Sequence, residues 1–368
     1  MKLLYLMHVP WGWIKQRPHF FAEKLSERMD VDVVCAESIK TVFNRTKRYE
    51  SDINPQALYT PLATCDFALN KICSSLYARL VGLQLGKFSE YTHIWIGSTL
   101  MYRLIKPLLK PNQILIYDCM DDDMEFPIYL RRTKLLNTIK SYEHDLALRA
   151  NYIFFSSVFL RNKVVSRTNC ESSKCYVVNN ALERPAGHAT LPDAIQRHLD
   201  MISQLPHVLM YVGMIAEWFD FEAIQRVLDR NPNMHIVLVG PSEVNLPLHK
   251  QIHYVGKVER EYIFSLMDKA DGLIMPFVVN DLIKSVNPVK LYEYIYADKP
   301  IIVPSYNEVK QFLPYINTYD NFEELNALCV KLQERQLLKP SHNDGYDSFV
   351  NSNTWDGRTE FVLERIIE

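Results

Sequence analysis

Gly272-Leu-Ile-Met-Pro276, a short loop around Asn280, and Ser285-Val-Asn-Pro-Val-Lys-Leu-Tyr-Glu-Tyr294 read as one strand–loop–helix unit. The short apolar run stopped by Pro276 has the character of a strand buried on both faces. Asn287 is a good helix N-cap and Pro288 suits the first helical position, which predicts a helix over Pro288–Ala297. A second apolar run, Pro300–Val303, follows at once, so the segment is a β–α–β crossover, the building block of a parallel sheet.

The same alternation extends in both directions. Upstream lie strand candidates His207–Val212, His235–Gly240 and Ile252–Gly256, separated by helical patterns over Phe221–Asp229 and Glu261–Lys269. A helix over Glu323–Glu334 follows the last strand. Residues 206–353 are therefore expected to form one Rossmann-like domain. The first half repeats the theme, with strands at Leu3–His8, Val31–Cys35, His93–Ile96, Ile114–Tyr117, Tyr152–Ser156 and Tyr176–Val178. Helices are predicted over Pro18–Met29 and Arg131–Ala150, giving a second such domain over residues 1–182. Residues 183–205 are polar and carry Pro185, Gly187 and Pro192, which reads as a linker. Residues 354–368 read as a terminal helix packing back on the first domain. The expected fold class is α/β, two Rossmann-like domains facing across a cleft. Ligands of such sheets sit at the carboxyl ends of the strands.

Bulk composition narrows the functional classes. The 368 residues are 48% hydrophobic and 23% charged, an ordinary globular balance. No run approaches the ~18 apolar residues of a membrane helix. The opening Met1–Trp13 is not read as a signal peptide, since its apolar stretch is short, alternates and lacks a small-residue cleavage site; Lys2–His8 reads as a first buried strand. Seven cysteines, an odd number without a CxxC pair, point to reduced thiols in the cytoplasm and give no support to zinc or a disulfide frame. His8, His19, His93 and His144 are not spaced as a metal site. The net charge of −2 divides into +7 for residues 1–185 and −9 for the remainder. A basic first half suits an anionic partner, a phospholipid leaflet or a lipid diphosphate; it is also within ordinary variation between domains. Lys40, Arg45, Lys47 and Arg48 form a basic stretch, followed by the amphipathic Cys65–Phe88. This is either a solvated loop and a core helix or a peripheral contact with the inner face of the plasma membrane. No nucleic-acid partner is expected.

The capped helix carries the clearest chemistry. Its first amides lack intrahelical partners and its dipole favours an anion there. Lys290 adds a full positive charge, so the end suits a diphosphate. Glu293 lies on the same face, roughly 4.5 Å further along the axis, where a carboxylate can accept both hydroxyls of a ribose. Read structurally, the pair is an i,i+3 salt bridge on a capped helix. Gly213, Gly240 and Gly256 end three strands of this domain, each permitting a tight turn or close backbone approach to a ligand.

Two loops of the first domain are candidates for the acceptor side. His8-Val-Pro-Trp-Gly12-Trp13-Ile-Lys-Gln-Arg17 places Gly12, two indoles and Arg17 after the first strand, where Trp11 and Trp13 can stack on sugar faces and Arg17 can pair with a phosphate. Asp118-Cys-Met-Asp121-Asp122-Asp123 follows the strand Ile114–Tyr117. Crowded carboxylates raise one another's pKa, and a raised carboxylate suits a general base. Asp121 is the first candidate and Asp122 the second. Metal binding and an acidic helix start are the competing readings of this loop.

The run Tyr211-Val-Gly-Met-Ile-Ala-Glu-Trp-Phe-Asp220, with Val237-Leu-Val-Gly-Pro241, Tyr254-Val-Gly256, Met275-Pro-Phe277, Asn287-Pro-Val-Lys-Leu-Tyr-Glu-Tyr294 and Asp298-Lys-Pro300, resembles GT-B glycosyltransferases. The likeness is to the family-4-like bacterial enzymes of capsule, teichuronic acid and exopolysaccharide synthesis. Trp11–His19, Tyr117–Asp122 and Trp355-Asp-Gly-Arg358 extend it over most of the chain. The resemblance implies that Glu293 holds the donor ribose and that Gly256, Lys257 and Val258 contact the base. The family's first glutamate, eight positions before the second, is replaced by Ser285. Its Arg and Lys after the domain's first strand are replaced in a stretch bearing Met214, Ile215, Trp218 and Phe219, which leaves Lys290 to carry the phosphate charge.

The expected activity is metal-independent glycosyl transfer from a nucleotide sugar, a UDP-sugar ahead of a GDP-sugar, with no further cofactor. The expected acceptor is a glycan, free or linked to undecaprenyl diphosphate, in surface polysaccharide synthesis. A nucleotide-sugar 2-epimerase of the same architecture and a catalytically inactive donor-fold subunit are the alternatives.

Overall fold

The computed structural model describes residues 1–11, 14–38, 53, 55–60, 81–86, 88–185 and 191–367. The chain divides into two compact units, residues 1–179 with 355–368, and residues 180–354.

The first unit is built on a seven-stranded parallel sheet. In chain order its strands are β1 (Lys2–Met7), β2 (Asp30–Ser38), β3 (Gln56–Thr60), β4 (His93–Ile96), β5 (Ile114–Cys119), β6 (Tyr152–Phe155) and β7 (Cys175–Val177). Their spatial order is β3-β2-β1-β4-β5-β6-β7. Leu3 to Met7 and Ile94 to Ile96 are buried on both faces, as parallel strands covered by helices must be. The helix Arg17–Ser26 follows β1. Its start is closed by a reciprocal capping box between Gln16 and His19, in which the Gln16 amide donates to His19 Nδ1 at 3.1 Å. Burial holds that imidazole down at about 4, so it stays neutral and can accept. The terminal helix Trp355–Ile366 belongs to this unit: Trp355 stacks on Phe20 with ring centres 4.8 Å apart, and Arg28 pairs with Glu360.

The second unit has a six-stranded parallel sheet in the order β10-β9-β8-β11-β12-β13. The strands are β8 (His207–Val212), β9 (Met234–Val239), β10 (Ile252–Gly256), β11 (Gly272–Ile274), β12 (Ile301–Pro304) and β13 (Asn317–Tyr319). In each sheet the strand order reverses once, between β1 and β4 and between β8 and β11, which is where a doubly wound sheet opens a crevice at its carboxyl edge. Side-chain caps place helix starts along those edges. Ser98 and Ser157 accept from Leu100 and Leu160 in the first unit, and Asp220, Asn280 and Asn321 cap helices in the second.

The expected linker 183–205 is only partly a linker. Asp193–Ser203 is a helix whose Ile195, Leu199 and Ile202 enter the second unit's core. That i, i+4, i+7 stripe is a burial signal overshadowed by the flanking prolines. Strands β3 and β13 were absent from the sequence reading; β13 spans just three residues, too few for a periodicity to declare itself.

Candidate functional site

In the second unit the site is built at the carboxyl ends of β8, β9 and β10 and at the helix Val289–Tyr296. The strand ends lock to one another: the Gly213 amide donates to Val239 O at 2.9 Å, and the Gly240 amide to Gly256 O at 2.8 Å. A Cβ on Gly240, whose φ is +136°, would stand 2.0 Å from Gly213 O, so this position admits only glycine. The glycines thus bring the backbone against itself as well as turning it.

The helix begins one residue later than expected. Pro288 is the N-cap, with ψ 110°, and the helix runs from Val289. Asn287 is not the cap: buried, it accepts from the Asn180 amide at 2.9 Å and from the Tyr292 hydroxyl at 3.2 Å, while Asn180 Nδ2 donates to its carbonyl at 2.6 Å. Its side chain ties the chain's entry into this unit to the helix and presents no carbonyl to a ligand. The Val258 side chain packs into the core, so any contact from Val258 to a base would come from its backbone.

Lys290 and Glu293 do meet. Lys290 Nζ lies 2.6 Å from Glu293 Oε2, and Arg260 Nη1 lies 2.5 Å from Oε1. Glu293 is 1% exposed. Burial pushes its carboxyl upward, but Arg260 and then Lys290 outweigh that and hold it at about 2. Arg260, the first residue of the helix Arg260–Asp268, also donates to Glu183 O at 3.3 Å. Sequence reading missed Arg260, because its link to Glu293 spans 33 positions and follows no helical spacing. The cluster offers two cations and one carboxylate at a helix start, a set that can hold an anion beside a diol.

In the first unit the Asp118–Asp123 segment leaves β5 at the carboxyl edge. Asp118 is buried and bonded through Oδ1 to Arg17 Nε at 2.9 Å and Nη2 at 2.8 Å. Arg17, 3% exposed, also donates to Val178 O at 2.6 Å and lies over the Phe21 ring. It is a structural clamp rather than a phosphate contact, since it is buried and committed to Asp118 and Val178 O. Trp11 is buried against His19. Gly12 and Trp13 lie outside the described residues, as does most of the Lys40–Phe88 stretch.

Asp122, the second candidate base, is corrected too. It is 0% exposed and held by Arg167 Nη1 at 2.9 and 3.1 Å and by Lys163 Nζ at 2.9 Å. Both of its oxygens are taken by these cations, so neither is left to face an acceptor hydroxyl. Asp121 is different. Partly exposed, it has no cation within ion-pair distance among the described residues, and burial pushes it up to about 6. Asp123, which accepts from Thr99 Oγ1 at 3.2 Å, is pushed up to about 7 by burial and then by Glu143 and Asp121.

The crystal structure of Anabaena Alr3699/HepE in complex with UDP-glucose matches all of this chain and 99% of its own, with a TM-score of 0.67 at 14% identity. The chain has the GT-B fold. An α,α-trehalose-phosphate synthase (UDP-forming) from Burkholderia vietnamiensis shares this GT-B architecture over the full length of both chains, with a TM-score of 0.66 at 10% identity. By sequence, this GT-B chain is 27% identical over 251 residues to TuaH of Bacillus subtilis (strain 168), named for a glycosyltransferase role in teichuronic acid biosynthesis. That match takes in 63% of this chain and 61% of the relative's length. No family model matches.

Proposed function

We propose that this chain is a glycosyltransferase that takes a sugar from a nucleoside diphosphate donor, a UDP-sugar ahead of a GDP-sugar, without a divalent metal. The observation that carries the reading is the Arg260–Glu293–Lys290 cluster at the carboxyl edge of a GT-B domain. In this role Lys290 and the amides at the start of the helix Val289–Tyr296 neutralise the diphosphate, while Glu293 takes the ribose hydroxyls. Arg260 keeps the Glu293 carboxylate ionised so that it remains a pure acceptor. The departing diphosphate leaves with its charge already met, which is how such sites lower the barrier. On the acceptor side Asp121 takes the hydroxyl proton if the anomeric centre inverts; with retention, the leaving phosphate can take it.

The acceptor we infer is a glycan, lipid-linked and part of a surface polysaccharide, a reading supported by the relative named for teichuronic acid synthesis. No helix among the described residues is long and apolar enough to cross a membrane. We infer that a lipid-linked acceptor is met at the membrane surface on the cytoplasmic side, with the basic Lys40–Arg48 stretch as the contact, a reading that rests on the charge of that stretch.

Titrating UDP and GDP calorimetrically, with and without EDTA, tests the donor reading. Binding of UDP, tighter than GDP and indifferent to EDTA, is the expected result. Loss of all binding in EDTA overturns metal independence and returns the acidic loop to consideration as a metal site. Conversion of UDP-sugar in the absence of any acceptor would instead identify an epimerase.

A further inference from the structure

The end of β5 and the loop after it carry four carboxylates in six residues, and two different fates divide them. Asp118 and Asp122 are each closed by cations from elsewhere in the unit, Arg17 on one and Arg167 with Lys163 on the other. Asp121 and Asp123 have no such partner among the described residues. The backbone is anchored on both sides of Asp121. Ser156, buried at the end of β6, donates through Oγ to Met120 O at 2.6 Å and through its amide to Cys119 O at 3.2 Å. On the other side, Asp122 is gripped through its side chain.

Arg167 does more than supply charge. It comes from the helix Val158–Thr168 and grips Glu143, on the helix Thr133–Arg149, through Nε and Nη2, both at 2.5 Å. Its Nη1 reaches both oxygens of Asp122. One rigid, planar guanidinium thus sets the loop against two helices, a task that a flexible ammonium with a point charge cannot reproduce.

We propose that Arg167 is a positioning residue for the transfer reaction: by binding Asp122 and Glu143 in one plane, it fixes the turn that holds Asp121 uncapped at the sheet's carboxyl edge. The inference rests on Asp121 serving as the base. Charged groups bear on Asp121 from four elements. Asp118, Asp122 and Asp123 act on it from its own segment and Arg17 from the helix Arg17–Ser26; one contact further out, Arg167 and Lys163 of the helix Val158–Thr168 pair with Asp122, and Glu143 of the helix Thr133–Arg149 pairs with Arg167. Arg167 balances Asp122, one of the two carboxylates that act most on Asp121. Without it, Asp122 repels a charge on Asp121 more strongly, and proton release moves to higher pH.

The test follows the Asp121 carboxyl by ¹³C NMR across pH in the full chain labelled at aspartate, the signal being assigned by its absence in Asp121→Asn. Arg167→Gln should move the midpoint upward by roughly one pH unit. Arg167→Lys, which keeps the charge and loses the fork, should move it the same way by less, and Lys163→Met should leave the fork and the midpoint closest to wild type. A midpoint that stays put in Arg167→Gln or, should that chain fail to fold, in Arg167→Lys overturns the inference. Failure of the base reading shows itself separately, as unimpaired turnover in Asp121→Asn whatever the titrations do.

Discussion

Glu293 and Asp121 are both carboxylates at the carboxyl edge of a parallel sheet, the first fully buried and the second partly exposed, yet they are driven in opposite directions. Glu293 is held at about 2 and Asp121 is pushed up to about 6. Burial raises both. The difference lies in partners: Glu293 has Arg260 and Lys290 within 2.6 Å, whereas the cations near Asp121 are bound to its neighbours Asp118 and Asp122. A buried acid surrounded by cations is a permanent anion suited to binding. One whose neighbours have taken the cations sits near neutrality and is suited to exchanging a proton.

The largest effect that could break this contrast is kinetic. Asp121→Asn should lower turnover by ~10²–10⁴ in an inverting enzyme while leaving UDP affinity intact, as loss of a general base does. Steady-state rates, UDP calorimetry and the anomeric configuration of the product check this together. Normal turnover with inversion removes Asp121 from the mechanism.

Glu293→Gln tests the other member. It should weaken UDP binding by about tenfold or more, since a charge-assisted contact contributes roughly 1.5–3 kcal/mol. It should also alter acid stability. The folded pKa of Glu293 lies below its ordinary 4.5, so its stabilisation is complete above that pH and is lost as pH falls from about 4.5 towards 2. Chemical denaturation of the two chains should therefore converge within that window and differ above it. A constant difference across the window would mean that the Arg260 and Lys290 pairs contribute nothing through ionisation.

The smallest effect has the opposite sign. Asp121 titrates above its ordinary 3.8, so its ionisation opposes folding increasingly as pH rises from about 4 through about 6. Asp121→Asn should raise the melting temperature of the first unit at pH 7.5 by about 2–4 °C and have little effect near pH 4. A melting temperature that falls at neutral pH would show that the carboxylate is stabilising there and that the comparison with Glu293 is misdrawn.

What could be read from the sequence was what local physics controls. Short apolar runs between helical patterns announced two parallel sheets, because a strand covered on both faces must be apolar throughout. The Lys290–Glu293 contact was legible because three residues apart on a helix means one face. The Asp118–Asp123 cluster was visible as a cluster, but its division into clamped and unclamped acids was not. The partners that divide it, Arg17 and Arg167, lie 101 positions from Asp118 and 45 from Asp122. Arg260 escaped notice for the same reason, and Arg17 was misassigned because nothing local shows its pairing with Asp118 and Val178. Sequence alone determined the alternation, the two sheets, the helix after Pro288 and the set of ionisable groups. Tertiary structure decided which cation meets which carboxylate, since that depends on crossovers that bring distant strand ends together at one edge. Which acid binds and which can exchange a proton follows from that pairing.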